Sequence, residues 1–322
     1  MGKHKKNPVI KNPLRRKLIQ IAAFGFCNSH VANFISGKIY TGKWKKFCVP
    51  GLNCYSCPAA AFSCPIGAMQ AVSGSTKFNF SFYVTGLILA FGVIFGRAIC
   101  GFLCPFGLIQ EIIHKIPGKK IRLWKPLRYI KYAVLLVFVL ILPVADTNYA
   151  GSGDPAFCKY ICPAGTLEAA LPLIATNPEL KSALGGLFVL KISVLIAVLL
   201  LCVFIHRFFC KTLCPLGTIY AMLNKVSLMH VSVDKGKCVS CGKCGSECPM
   251  GVNPVREPRS GECIMCGKCT DICPVGAIRI CVSEKKISEK NQSENGACKN
   301  DKNRMDFFED KENHERKDIE NH

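Results

Sequence analysis

Acidic residues are scarce in the amino-terminal part of this 322-residue chain, where the first Asp or Glu is Glu111. The whole chain carries 42 Lys and Arg against 21 Asp and Glu. Such an excess is typical of nucleic-acid-binding proteins, but here the basic residues lie between long apolar runs. That arrangement is typical of loops beside membrane spans, where Lys and Arg face lipid phosphates. We therefore expect the lipid bilayer as a partner, and no nucleic acid.

Motifs of a self-contained enzyme are also missing. The sequence has no phosphate-binding glycine loop, no hydrolase motif and no flavin or nicotinamide fingerprint. We therefore predict no catalytic residue and interpret the chain as an electron-carrier subunit of an oxidoreductase system. Cysteine, in contrast, is abundant, with 22 residues.

Four hydrophobic segments approach the roughly 20 residues that a helix needs to cross a bilayer. They are residues 18–36, 78–96, 127–145 and 184–205. Lys and Arg are frequent in residues 1–17 and 97–131 and rare in 145–183, so the positive-inside rule predicts a multi-pass protein of the cell membrane. In this topology both termini are cytoplasmic, and the Cys-bearing loops at 48–64 and 158–162 face outward.

The carboxyl-terminal part is predicted to hold a small α+β ferredoxin domain. Residues 238–249 read CVSCGKCGSECP and residues 263–274 read CIMCGKCTDICP. Each run matches C-x2-C-x2-C-x3-C-P, the bacterial spacing for two [4Fe–4S] clusters, in which the fourth Cys of each run binds the other cluster. The predicted ligands form one set of Cys238, Cys241, Cys244 and Cys273, and a second set of Cys263, Cys266, Cys269 and Cys248. Structural zinc is the alternative, although a zinc site does not need two complete runs.

Composition sets the remaining boundaries. We predict a basic cytoplasmic amino terminus over residues 1–17, a membrane domain over 18–230, the ferredoxin domain over 231–282 and a disordered charged tail over 283–322. Pro249 and Pro274, which follow the last Cys of each run, are predicted to begin helices because proline suits the first helical position.

Four C-P-x-G sites alternate with the spans and indicate two parallel repeats with a period of roughly 100 residues. The segment after each C-P is predicted to form a short helix at the membrane interface. Parallel repeats are expected to be related by an axis along the membrane normal, which brings equivalent loops together. On the inner face this axis would unite Cys100, Cys104, Cys210 and Cys214. These four could hold a further cluster or remain free or structural thiols.

The outer loops depart from the pattern, because Ala60 stands where the other sites have their first Cys. The outer cysteines are Cys48, Cys54, Cys57, Cys64, Cys158 and Cys162. They could surround a cluster or form disulfides, which an oxidising exterior favours. A last group lies in or beside the spans, and we predict hydrogen bonding between helices for it rather than haem ligation. This group comprises Cys27, His30, Cys202 and His206.

Together the spans, the C-x3-C-P loops and the two carboxyl-terminal runs resemble the membrane polyferredoxin family over residues 15–281. Its members include NapH-type quinol dehydrogenase subunits and membrane regulators of nitrous oxide reductase. The resemblance implies electron transfer between a quinol pool or a cytoplasmic donor and a partner redox protein. The resemblance implies that the eight ferredoxin cysteines are ligands and that the inner C-x3-C pairs are features of the family. Because the first outer loop departs from the pattern at Ala60, the resemblance implies no role for the outer loops.

We therefore predict a membrane-bound iron–sulfur protein that passes single electrons. Its predicted cofactors are two [4Fe–4S] clusters, with a further cluster in the membrane domain and quinone as candidates. One alternative is an iron–sulfur redox sensor or a maturation or regulatory membrane protein. Another is a thiol–disulfide carrier that uses the C-x3-C pairs.

Overall fold

Helices dominate the computed structural model, which describes residues 13–73, 82–145 and 153–282. The predicted tail at 283–322 and most of the predicted basic terminus lie outside these described residues. The α-helices are α1 Pro13–Cys27, α2 Asn33–Ser36, α3 Pro65–Ser73, α4 Phe82–Phe95, α5 Ala98–Phe102, α6 Pro105–Ile113, α7 Ile130–Val134, α8 Leu142–Ala145, α9 Pro163–Gly165, α10 Leu171–Thr176, α11 Gly186–Phe204, α12 Phe208–Thr212, α13 Pro215–Leu223, α14 Lys243–Ser246 and α15 Lys268–Ile272.

Tighter and wider helical segments join several of these helices. The 3₁₀ segments are Lys43–Lys46, Lys125–Tyr129 and Pro178–Ala183, and the π-helical segments are Leu135–Ile141, Phe157–Ile161 and Thr166–Ala170. Each π-helical segment ends two residues before a proline, namely Pro143, Pro163 or Pro172. Proline has no N–H to donate and its ring crowds the carbonyl four residues earlier, so the helix widens at these points.

Two helices among the described residues are long and apolar enough to cross a membrane, Lys125–Ala145 and Gly186–Phe204. They coincide with the third and fourth predicted spans. The second predicted span contains the 14-residue helix α4, and its residues 78–81 lie outside the described part.

The first predicted span, residues 18–36, is not one helix. Helix α1 ends at Cys27, and residues 28–32 separate it from the four-residue α2. Polar groups accompany the break: the Asn28 side chain donates to Phe24 O at the end of α1, and the His30 N–H donates outside the helix, to Ala59 O. The prediction of a continuous span over 18–36 is therefore wrong.

A helix begins at the proline of every C-P-x-G site in the membrane part, which is the predicted membrane domain over residues 18–230. These prolines are Pro65, Pro105, Pro163 and Pro215. Proline suits this position because its missing N–H needs no partner there and its φ is already helical. The prediction of a helix after each C-P is confirmed, and its location at a membrane interface stays a prediction.

The carboxyl-terminal part is a small α+β unit. Strands β1, Met229–Val233, and β2, Ile278–Val282, form an antiparallel pair in which Val231 faces Ile280. The short helices α14 and α15 each precede the fourth Cys of a run.

The prolines after these fourth cysteines do not begin helices, and that prediction is wrong. The Gly251 N–H donates to Cys248 O at 2.9 Å, and the Gly276 N–H donates to Cys273 O at 3.2 Å. Each C-P-x-G stretch here is thus a β-turn with proline second and glycine fourth, the positions that these residues favour in turns.

The ferredoxin part packs directly on the membrane part. A Cβ atom added to Gly101, in α5, would lie 2.6 Å from Ile264 O, so the two backbones meet at this glycine. The Asn224 side chain donates to Ser260 O at 2.7 Å, and Lys211 Nζ donates to Pro249 O at 2.9 Å. Both parts belong to one compact unit.

We expect Gly101→Ala to separate this contact, because the added methyl group would meet backbone rather than a movable side chain. Limited proteolysis of the purified protein should then cleave residues 238–282 faster. Gly86→Ala is the matched control, since nothing lies within 4 Å of the position of its Cβ. Equal cleavage rates in the two variants would contradict the contact.

Candidate metal centres

Each predicted set of ferredoxin cysteines borders its own cavity. One cavity is lined by Cys238, Cys241, Cys244 and Cys273. The other is lined by Cys248, Cys263, Cys266 and Cys269. The fourth Cys of each run therefore stands with the first three of the other run. Within the described ranges, no three His, Cys, Asp or Glu side chains converge on a single metal ion.

The backbone of both ferredoxin loops has the form of an anion-binding nest. The residues on either side of the second Cys have positive φ, 52° at Ser240 and 72° at Gly242, and 50° at Met265 and 80° at Gly267. Alternation of left-handed and right-handed residues turns successive N–H groups to one side, as in many iron–sulfur sites. Positive φ is uncommon for Ser and Met, so their backbone strain marks a functional loop. Four thiols around a nest fit a [4Fe–4S] cluster.

The four inner cysteines also lie near one another. All four side chains are buried, and they are close enough to interact electrostatically with one another. They are Cys100, Cys104, Cys210 and Cys214. The side-chain amide of Gln110 donates to Cys210 Sγ at 3.1 Å. The loops of the two repeats thus face each other, as expected for parallel repeats.

Two of the C-P-x-G sites place a backbone N–H against the Cys sulfur. The Gly217 N–H donates to Cys214 Sγ at 3.3 Å, and the Gly165 N–H donates to Cys162 Sγ at 3.5 Å. Cys214 and Cys162 therefore cap the helices that follow them, and the free N–H groups of those helix ends favour a thiolate.

Two buried arginines join the inner loops. Arg97 and Arg207 each stand three residues before the first Cys of an inner loop and are fully buried. Arg97 donates to Cys210 O at 2.7 Å, and Arg207 donates to Cys100 O. Each arginine thus binds the loop of the other repeat. The prediction from sequence missed this pair, although R-x2-C-x3-C-P occurs in both inner loops and carries the signal.

Arg207 has its acidic partner inside the membrane part. It pairs with Glu111 at 2.8 Å, and Arg16 pairs with the same carboxylate at 2.8 Å. Burial raises the pKa of Glu111, but the charges of Arg207 and Arg16 outweigh that effect and hold the pKa below its usual value. Glu111 therefore stays ionised between the two guanidinium groups.

Arg97 has its acidic partner in the ferredoxin part. It pairs with Glu262, which also accepts a hydrogen bond from Lys131. Glu262 directly precedes Cys263. Arg97 therefore contacts an inner Cys loop and the second ferredoxin loop at the same time.

Four of the six outer cysteines lie together, namely Cys54, Cys64, Cys158 and Cys162. Cys48 neighbours Cys64, and Cys57 packs against Ala59 and Ala60. All six are free thiols in the structure.

One end of the loop at 48–64 also contacts the inner loops. A Cβ atom added to Gly51 would lie 3.1 Å from Cys104 Cα, and Tyr220 O–H donates to Pro50 O at 2.8 Å. This end of the loop folds into the helix bundle, where protein groups satisfy its backbone.

The remaining Cys and His residues, Cys27, His30, Cys202 and His206, make different kinds of contact. Cys202 Sγ donates to Gln110 Oε1 at 3.6 Å, which is the predicted kind of contact between helices. The His206 ring meets the His114 ring edge to face at 5.1 Å, and His206 Nδ1 has no hydrogen-bond partner. The other two members lie at the end of α1 and after it, where Cys27 O accepts from the Ala61 N–H and the His30 ring stacks on Tyr40.

Two family models match the chain, and both are described as a 4Fe–4S binding domain. One matches three stretches, residues 78–123, 132–171 and 187–233, each of which contains one C-x3-C-P loop. The other matches residues 259–279, which contain the second ferredoxin run. Neither model includes Cys54 or Cys64 in its matches.

Curated relatives align with about half of the chain. An uncharacterized protein of Methanocaldococcus jannaschii is 27% identical over 180 residues, 52% of this chain and 57% of the relative. The protein named "Putative electron transport protein YccM" of Escherichia coli is 27% identical over 180 residues, 52% of this chain and 46% of the relative. The methylamine utilization ferredoxin-type protein MauN of Paracoccus denitrificans is 28% identical over 167 residues, 48% of each. The chain spans less than two thirds of each relative's length. No solved structure matches.

We expect Glu262→Gln to destabilise the junction between the two parts. The substitution leaves Arg97 and Lys131 buried without their carboxylate, and breaking a buried ion pair costs about 3–5 kcal/mol. The thermal unfolding temperature of the purified protein should fall. Glu257→Gln, at an exposed position five residues earlier, is the control and should leave it unchanged. A Glu262→Gln protein as heat-stable as the control would disprove the role of this ion pair.

Proposed function

Because the chain belongs to a polyferredoxin-like family of 4Fe–4S proteins, we propose that it is a membrane-bound electron carrier. It passes single electrons between a quinol pool or a cytoplasmic donor and a partner redox protein. The observation that carries this proposal is the packing of Cys248 and Cys266, from the second ferredoxin cavity, against the core that contains three members of a third set of four cysteines. The clusters supply the redox chemistry, and the protein sets potential and distance by burial, hydrogen bonds to sulfur and local charge.

Two [4Fe–4S] clusters are assigned to the ferredoxin part, with the two Cys sets that line its cavities as ligands. The first cavity is open to a soluble partner, since Cys241 is exposed. The second borders the membrane core, against which Cys248 and Cys266 pack. A cluster held by the first set would be positioned to exchange electrons with a soluble partner, and a cluster held by the second set would be positioned to pass them to the membrane part.

A third cluster is assigned to the inner set of Cys100, Cys104, Cys210 and Cys214. The burial of all four thiols and the hydrogen bonds that Gln110 and Gly217 donate to sulfur support this assignment. Arg97 and Arg207 add two positive charges beside the set, which offset the negative charge of a thiolate-bound cluster.

A multi-pass membrane location is part of the proposal. The spans are Lys125–Ala145 and Gly186–Phe204, with α4 as a shorter third. In the most apolar 18-residue window of each long helix, only 22% of Lys125–Ala145 and 17% of Gly186–Phe204 is buried by the protein. The other apolar side chains of these windows therefore need a lipid environment. The basic stretch at 97–131 lies on the side of the ferredoxin part, which the positive-inside rule assigns to the cytoplasm with the amino terminus and the tail. Quinone is the proposed partner within the membrane.

We expect Cys241→Ser to remove one ferredoxin cluster while the protein still inserts into membranes. Iron should fall by about four atoms per chain, and the paramagnetic resonance spectrum of the reduced protein should lose one cluster signal. Cys27→Ser is the control, because Cys27 lies in none of the four-cysteine sets and should leave iron content unchanged. Two intact ferredoxin signals in Cys241→Ser would refute the ligand assignment.

Membrane vesicles test the function itself. Given a chemically reduced soluble ferredoxin as donor, vesicles with the wild-type protein should reduce quinone continuously, and Cys241→Ser and Cys104→Ser should lower that rate at least tenfold. Intact clusters without sustained flow would instead identify a redox sensor or a maturation factor. Undiminished flow in Cys241→Ser would favour a thiol–disulfide carrier.

A further inference from the structure

The outer cysteines complete a motif that the sequence leaves incomplete. Two facing C-x3-C-P loops provide four thiols, but Ala60 removes one of them from the outer pair. Cys54 lies in the gap: the Cβ position of Gly165 is 3.7 Å from Cys54 Sγ and 3.9 Å from Cys162 Sγ. In the facing loop, the Cβ position of Gly67 is 4.0 Å from Cys158 Sγ and 4.0 Å from Cys64 Cβ. Four thiols therefore meet beside the glycines of the two outer C-P-x-G sites.

We propose that Cys54, Cys64, Cys158 and Cys162 hold a further [4Fe–4S] cluster, with Cys54 in place of the motif cysteine that is absent at Ala60. This site extends the proposed electron-transfer function and rests on it. Four thiols supply the complete ligand set that such a cluster requires.

The hydrogen bonds around the outer set match those around the inner set. Gln70 and Gln110 each stand six residues after the Cys of a C-P-x-G site. The Gln70 amide donates to Cys158 Sγ at 3.4 Å, as the Gln110 amide donates to Cys210 Sγ at 3.1 Å. In both sets an amide of the first repeat thus binds a sulfur of the second repeat. A sulfur of the outer set therefore accepts the same kind of side-chain hydrogen bond as a sulfur of the inner set.

The corresponding residues of the second repeat hold the segment that carries Cys54. These residues are Glu168 and Tyr220. Tyr220 O–H donates to Pro50 O at 2.8 Å, and the Cys54 N–H donates to Glu168 Oε2 at 3.1 Å. Because both ends of the segment are bound to side chains of the second repeat, Cys54 is held in one position, as a preorganised ligand must be.

The same segment contacts both cysteine sets. The Cβ position of Gly51 is 3.1 Å from Cys104 Cα, and Cys54 Sγ is 3.7 Å from the Cβ position of Gly165, beside Cys162. Residues 51–54 thus lie against the inner set at one end and supply a ligand to the outer set at the other. An outer cluster would be the next electron acceptor after the inner one, so the route runs from the ferredoxin part through the inner set to the outer set.

Iron and acid-labile sulfide per chain test the proposal on anaerobically purified protein. Wild type should hold about 16 Fe in four clusters, and Cys54→Ala should hold about 12. Cys57→Ala is the matched control and should retain the wild-type content, because Cys57 is a buried cysteine three residues away that packs against Ala59 and Ala60.

A double variant separates loss of the cluster from loss of the fold. Cys158→Ala should also remove about four Fe, and Cys54→Ala with Cys158→Ala should remove about four rather than eight, because both residues bind the same cluster. The ferredoxin signals should remain in every variant. A double variant that loses about eight Fe would overturn the shared site.

The outcomes distinguish this site from the proposed function. Iron content that is equal in wild type and Cys54→Ala would overturn the outer site and leave the other clusters in place. If alkylation then modified one more thiol in Cys54→Ala than in wild type, that thiol would be the former disulfide partner of Cys54, and the outer cysteines would form a disulfide instead of a cluster site. Protein without any iron would refute the proposed function together with the outer site.

Discussion

Arg97 and Arg207 are buried between the two repeats, and a buried guanidinium group requires acidic and carbonyl partners around it. Each finds a carbonyl in the loop of the other repeat, so the loops must face each other. Their acidic partners cannot be equivalent, because the position that Glu111 occupies in the first repeat is Ala221 in the second. Glu262 of the ferredoxin part fills this vacancy. The need to pair one arginine therefore brings the ferredoxin part onto the inner cysteines.

The C-P-x-G motif forms two different local structures with one common result. In the membrane part an apolar sequence follows the motif, and the proline begins a helix. In the ferredoxin part the glycine has positive φ, 67° at Gly251 and 61° at Gly276, and the motif is a turn. In both cases a later backbone N–H reaches the Cys sulfur, as the Ala277 N–H does with Cys273 Sγ at 3.3 Å. The motif thus secures a hydrogen bond to sulfur in either structure.

The arrangement of the sites suits the electron carrier that we propose. Exposed Cys241 stands at one end, and the second ferredoxin cavity lies against the membrane core. Buried ion pairs and a backbone contact at Gly101 hold these parts together, so the separation of neighbouring sites is set by packing. A carrier that only conducts electrons needs such constant distances more than it needs a substrate pocket.

Short-range features of this protein were determined by its sequence alone. The Cys spacing predicted which ferredoxin cysteines line each cavity, and unbroken apolar runs predicted the two long helices, because both depend on neighbouring residues along the chain. Hydropathy did not predict the break at Asn28, which is accompanied by hydrogen bonds of that residue and its neighbours. Only the tertiary structure decided that Cys54 rather than Cys57 joins the outer set, that the outer loop contacts Cys104, and that Glu262 pairs with Arg97. These contacts join residues far apart in the chain, 53 positions for Gly51 and Cys104 and 165 for Arg97 and Glu262, and their geometry is set by the packing of the repeats, which no local spacing encodes.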